Sequence, residues 1–184
     1  TITYNPVIYE LSKENKELIP KTIKHIFIIS DRRERIETLR KIAKAVNSDK
    51  TMIFINTKYD LEESLQKLQY HNYNVAALAG NIDKQSKKKA VEDFQNGRLQ
   101  YLLATDVAAR GLQIDHVSTV INVNLPEEPT EYLHRAGRCG RNNEQGLCIS
   151  IITENELNKI KKYQKAFNIN IVQKRLYNGK IVSK

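Results

Sequence analysis

The sequence predicts an α/β domain of three layers, a mostly parallel sheet with helices on both faces. Three observations carry that prediction. Short apolar runs of strand length alternate with stretches whose apolar residues fall at helical spacing. The runs are continuously apolar, as expected of strands buried on both faces. Repeated strand–helix units join parallel strands and place helices on either side of them.

The elements follow in order. Residues 1–22 are mixed and polar, hold Pro6 and Pro20, and read as a linker or arm ahead of a domain over 23–184. Ile23 to Ile29 is a β-rich run, and Asp31 to Val46 has Ile36, Leu39, Ala43 and Val46 at helical spacing. Met52 to Ile55 is a short buried strand. Thr57 to Asp60 resembles a capping box and opens a helix with Leu61, Leu65 and Leu68 on one side. Asn74 to Leu78 is the next strand. Asp83 caps a helix holding Ala90, Val91 and Phe94, which Gly97 ends. Tyr101 to Ala104 and Val117 to Val123 are further strands, and Pro129 starts a helix through Arg138. Gly146 to Ile152 is a strand, Thr153 and Glu156 box the start of a helix to Phe167, and Asn178-Gly179 marks a hairpin.

Composition narrows the function classes. The 184 residues suit one domain, and 40% apolar with 28% charged residues suits a folded one. No apolar run approaches the roughly 20 residues needed to span a bilayer. The first residues lack the basic and apolar regions of a signal peptide. Cys139 and Cys148 give no disulfide framework, and with His134 they lack zinc-site spacing, so no metal site is expected. A reduced, cytoplasmic protein without a membrane contact is the simplest expectation. The net charge of +9 favours a polyanionic partner, nucleic acid first, with a merely basic surface as the alternative.

In parallel sheets ligands bind beyond the carboxyl ends of the strands. Polar clusters sit there: Asn56-Thr57, Gly80-Asn81, Thr105-Asp106 and the segment around Arg138. The strongest signal is His134-Arg135-Ala136-Gly137-Arg138-Cys139-Gly140-Arg141. On a continued helix, positions 134, 138 and 141 would share a face. Paired guanidinium groups suit phosphate oxygens, because the planar fork donates two parallel bonds. A solvated basic turn is the alternative. The second signal is Ala104 to Leu112, where a buried strand ends in Thr105 and Asp106 before a small-residue turn. Thr105 and the N–H groups after it suit a phosphate. Asp106 and Arg110 can pair with each other or across to the arginine segment. A capped short helix is the alternative.

These segments resemble the DEAD-box RNA helicases. Met52 to Thr57 is similar to their motif IV, Ala104 to Leu112 to motif V, and His134 to Arg141 to motif VI. The resemblance spans about residues 23–165. It implies a RecA-like fold of the P-loop NTPase type, the second of two such domains. It further implies that Arg138 and Arg141 are arginine fingers on the γ-phosphate of ATP. His134, Arg135, Asp106 and Arg110 match positions that couple ATP state to interdomain contact. Thr57, Thr105 and Gly80 match positions on the RNA backbone. The residues by themselves do not distinguish ATP phosphate from RNA phosphate.

The family pattern is broken in two places. Lys84 and Lys87 stand where the family has a glutamine and an RNA-binding arginine; they bind phosphate as point charges or line a solvated helix face. Gln113 stands where the family has an aspartate on the ATP ribose; it bonds a hydroxyl without charge, or packs beside Ile114. The sequence holds no G-x-x-x-x-G-K-[ST] loop and no acidic box for Mg²⁺. The expectation is therefore half of an RNA helicase, inactive alone, with ATP and Mg²⁺ held mainly by an N-terminal RecA-like domain in cis. The whole would be a monomer that binds RNA through its backbone. A DNA-translocating ATPase and a nucleic-acid-binding module without ATPase partnership are the rivals.

Overall fold

The computed structural model describes residues 19–79, 81–114 and 116–184. One sheet of eight strands runs through them. The strands are β1 (Ile23–Ile29), β2 (Thr51–Phe54), β3 (Val75–Leu78), β4 (Tyr101–Ala104), β5 (Thr119–Asn122), β6 (Gly146–Ile152), β7 (Ile171–Tyr177) and β8 (Lys180–Ser183). Their order is β3-β4-β2-β5-β6-β1-β7-β8. Neighbours pair parallel except β7 with β8, which close through Asn178-Gly179, both at positive φ. The helices are α1 (Arg35–Val46), α2 (Lys58–Tyr70), α3 (Lys84–Gln95), α4 (Asp106–Ala109), α5 (Pro129–Ala136) and α6 (Leu157–Phe167). This is the RecA-like three-layer sandwich that the resemblance implies.

Side chains of each strand alternate between two cores. Met52, Phe54, Leu102, Ala104, Val120 and Cys148 pack under α3 to α6. Ile53, Leu103, Ile121, Ile149 and Ile151 pack under α1 and α2. Burial on both faces is why these runs read as continuously apolar. Thr57, Asp83 and Thr153 begin their helices as expected, and Thr153 and Glu156 form a full capping box. Ile19 is buried in the first core, and the Thr22 hydroxyl donates to the Gly140 carbonyl at 2.7 Å. The last residues of the predicted linker are therefore packed onto the domain.

One helix is shorter than its sequence implies. α5 stops at Ala136 rather than running through Arg138, and Gly137 caps it with an N–H to the Leu133 carbonyl at 2.8 Å. The chain then turns, with Gly140 at φ +67°. A Cβ on Gly140 would meet Ile23 Cγ1 at 2.5 Å. Both the turn and the tight contact need glycine. His134, Arg138 and Arg141 consequently do not share a helix face.

A buried histidine makes stability sensitive to acid. His25 is 5% exposed, and its Nδ1 lies 2.8 Å from the Tyr132 hydroxyl. Burial lowers its pKa from 6.5 to about 4. The unfolded chain thus binds a proton that the folded chain refuses until the pH is lower still. Stability is full above the unfolded value and falls with pH down to the folded one, by about 3 kcal/mol in all. Urea unfolding followed between pH 4 and 6.5 should show this slope, and His25→Gln should flatten it. An equal slope in the variant would assign the acid sensitivity to other groups.

Candidate functional site

β3, β4 and β2 are neighbours, so the loops after them lie side by side beyond the sheet. Thr57 follows β2 and caps α2, its hydroxyl accepting the Asp60 N–H at 3.1 Å. Thr105 follows β4 and caps the one-turn α4, accepting the Ala108 N–H at 3.2 Å. The capped short helix is thus present, with Thr105 as its cap. Asp83 caps α3 through both the N–H and the hydroxyl of Ser86, at 2.9 and 2.6 Å. Lys84 is exposed and Lys87 half-buried on the first turns of that helix. Being three apart, they project on one side. Gly80 lies outside the described residues.

The arginine segment divides in two. Arg135 is 1% exposed and turned into the domain. Its Nε and Nη2 donate to the two Asp106 carboxylate oxygens at 2.7 and 2.5 Å. Nη2 also donates to Asn56 Oδ1 at 2.7 Å. Nη1 donates to the Asn124 carbonyl at 2.7 Å and to Asn122 Oδ1 at 3.3 Å. The guanidinium carbon lies 5.2 Å from the Phe54 ring centroid. All five N–H groups are used, which is what permits a charge at this depth. Arg135 does not face outward as a coupling residue would. It ties the ends of β2 and β5 to α4 and α5 inside one domain. Asp106 pairs across to it rather than to Arg110.

Arg138 and Arg141 do face outward. Arg138 is half-buried, its guanidinium held by the Leu112 carbonyl and by that of Ala109 at 3.2 Å. Arg141 Nε donates to the Gly137 carbonyl at 2.9 Å. Among the described residues neither has a carboxylate partner. Loss of hydration lowers the Arg138 pKa, and the charge of Arg141 adds to the effect. Both border an open concavity of about 640 Å³ with His134, Gln113 and Pro20. The Gln113 side chain is exposed there, while Ile114 is buried and the Gln113 carbonyl accepts from Gln95 at 2.7 Å. Arg138 and His134 also border an adjoining cleft of about 220 Å³ with Asp106, Arg110 and Glu131. Glu131 stands between Arg110, at 3.7 Å, and His134, at 3.9 Å.

Sequence reasoning did not single out Asn56, Asn122 and Asn124 as ligands of Arg135. One signal was present. Asn122 is a lone amide in the apolar run from Val120 to Val123 and is fully buried, with Nδ2 donating to Ser150 Oγ at 3.1 Å.

Comparison with known proteins identifies the family. Residues 34–143 match the family described as helicase conserved C-terminal domain. The chain belongs to that family, in its DEAD-box RNA helicase branch. It is 34% identical over 169 residues to the DEAD-box ATP-dependent RNA helicase CshC of Bacillus cereus, covering 92% of this chain and 42% of that one. It is 34% identical over 151 residues to the ATP-dependent RNA helicase DeaD of Buchnera aphidicola, covering 82% of this chain and 25% of that one. The S. cerevisiae Dbp5 structure bound to RNA and ADP BeF3 superposes with a TM-score of 0.80 at 28% identity, over 88% of this chain and 44% of that one. The C-terminal domain of Dbp5 superposes with a TM-score of 0.79 at 29% identity, over 84% of this chain and 91% of that one. The chain therefore spans less than half the length of these full-length relatives.

Breaking a buried, fully bonded charge pair costs about 3–5 kcal/mol, because the partner is left without compensation. Arg135→Leu should lower unfolding free energy by that amount, read from urea titration. Arg135→Lys should restore less than half, since an ammonium cannot reach five acceptors set in a plane. A loss below about 1 kcal/mol in Arg135→Leu would show that the network carries little of the stability.

Proposed function

We propose that this chain is the C-terminal half of an ATP-dependent RNA helicase that separates short RNA duplexes. An N-terminal RecA-like domain in cis holds ATP and Mg²⁺. Closure of the two domains brings Arg138 and Arg141 onto the γ-phosphate. Thr57, Thr105, Lys84, Lys87 and the loop at Gly80 take the backbone of one RNA strand, with little sequence preference. Gln113 reaches toward the ribose. We extend the same reading to a cytoplasmic monomer. CshC and DeaD, both named as ATP-dependent RNA helicases, support the class of activity.

The observation that carries this reading is the state of Arg138 and Arg141. Two guanidinium groups border one open concavity, fixed by main-chain carbonyls and, among the described residues, without a carboxylate partner. A charge held in place and short of hydration favours an incoming anion without reorganisation. Charge developing on a transferring phosphoryl group is the anion such a pair serves. His134 and Arg110, bordering the adjoining cleft around Glu131, are suited to sense whether that anion has arrived.

In the full-length protein, Arg138→Ala or Arg141→Ala should lower kcat by on the order of 10³–10⁵, the range of arginine fingers in other NTPases. RNA affinity should change far less. Turnover near the unaltered rate in both variants would defeat the assignment. Separately, Lys87→Ala should flatten the log–log salt dependence of RNA binding by about 0.7 for one lost contact to a single strand. An unchanged slope would make Lys87 a solvated charge.

A further inference from the structure

The positive charge of the chain is concentrated outside the site described above. All twenty-one acidic residues precede Leu157. Residues 157–184 hold seven lysines and Arg175 with no acid among them, so eight of the nine net charges lie in this last segment. The structure folds it into α6 and the β7–β8 hairpin. Lys159 pairs with Glu127 at 2.8 Å. The other seven bases have no carboxylate within 4.0 Å among the described residues.

The register gathers all of the hairpin's bases but Lys174 on one side, Lys174 facing the opposite way beside Ser183. Ile171 is buried in the core beneath α6, and side chains alternate along a strand, so Gln173, Arg175 and Tyr177 stand on the α6 face. Leu176 and Ile181 pack on the opposite core, under α1. Antiparallel partners share a face, so Lys180 opposite Tyr177 and Val182 opposite Arg175 join the α6 face. Lys184 reaches Gln173 Oε1 at 3.3 Å. Lys161, Lys162 and Lys165 are exposed on α6 itself. Amid the bases stands an uncovered aromatic ring. Tyr177 is 56% exposed, with the Arg175 guanidinium carbon 5.0 Å from its centroid.

We infer that the β7–β8 hairpin and α6 form a second RNA-binding surface. Arg175, Lys180 and Lys184 take the phosphodiester backbone of a single strand, and Tyr177 takes the face of one base. Unpaired bases around an exposed ring are what sequence-tolerant binding of a single strand requires. A lipid surface or an acidic protein would use the charge, and the ring in a nucleobase-specific way it would not. Position also favours a strand shared with the first site. Lys174 pairs with Ile28, so Arg175 is level with the last residue of β1, and Leu176 and Tyr177 overshoot it toward the edge that carries Thr57. β7 stands four strand steps from β2, roughly 20 Å at about 4.8 Å per step. The inference rests on RNA as the partner, yet on none of the residues given to ATP or to the strand-end loops.

The test uses the 184-residue chain, a single-stranded oligouridine and inorganic polyphosphate. The triple variant Arg175→Gln, Lys180→Gln, Lys184→Gln should lower the log–log salt slope for RNA by about 2, at about 0.7 for each lost contact. A charge-matched control, Lys44→Gln, Lys67→Gln, Arg98→Gln, should leave the slope unchanged. Tyr177→Ser should weaken RNA binding at least about fivefold, as loss of one stacked base does, without touching the slope or polyphosphate binding. Equal slope changes in the triple variant and the control would overturn the inference, since only overall charge would matter. So would an unchanged slope in the triple variant, or equal losses for RNA and polyphosphate in Tyr177→Ser. A slope that falls in Lys87→Ala but not in the triple variant would leave the first RNA site standing and remove this one.

Discussion

The buried pairing of Arg135 with Asp106 is the constraint on which the site depends. Four segments far apart in sequence end at this guanidinium: Asn56 after β2, Asp106 at the start of α4, Asn122 and Asn124 at the end of β5, and α5 itself. An arginine here needs each of its five N–H groups met, so each segment has one permitted position. The loops bearing Thr57 and Thr105 are fixed by the same requirement. So is the direction of α5, and with it the turn that presents Arg138 and Arg141.

The two kinds of arginine divide buried from open charge. Arg135 has its charge compensated inside the domain, whereas Arg138 and Arg141 keep theirs open to the concavity. Compensated and open charge are thereby adjacent without sharing a side chain. An open pair next to a closed one is also an incomplete electrostatic unit, in keeping with a chain that spans 42% of the length of a full relative.

Much of this was legible in the sequence, for reasons that are local. Buried parallel strands announce themselves as apolar runs, and Thr57, Asp83 and Thr153 mark helix starts because a side-chain oxygen there meets a free N–H. The hairpin was legible because Asn178-Gly179 accepts positive φ. What escaped was long-range. Arg135, Arg138 and Arg141 are one residue type in one short segment, and nothing local says which turns inward. That answer lies in Asn56, 79 positions away, and in Asp106, 29 positions away. The end of α5 was misjudged because helical spacing in HRAGRCGR outweighed the stop at Gly137. The placement of β1 between β6 and β7 is likewise set by packing and not by any adjacent signal.

The contact between Thr22 and Gly140 has a mechanical meaning. Ile19 is sunk in the core, Pro20 borders the concavity, and Thr22 is bonded to the loop that carries Arg141. Gly140 has no side chain to hold the two strands of chain apart, so they lie in direct contact. Residues 19–22 thus lie against the turn that carries Arg141 before the chain enters β1 at Ile23. The path by which the chain enters the domain is therefore joined to the arginine turn, and the position of each constrains the other.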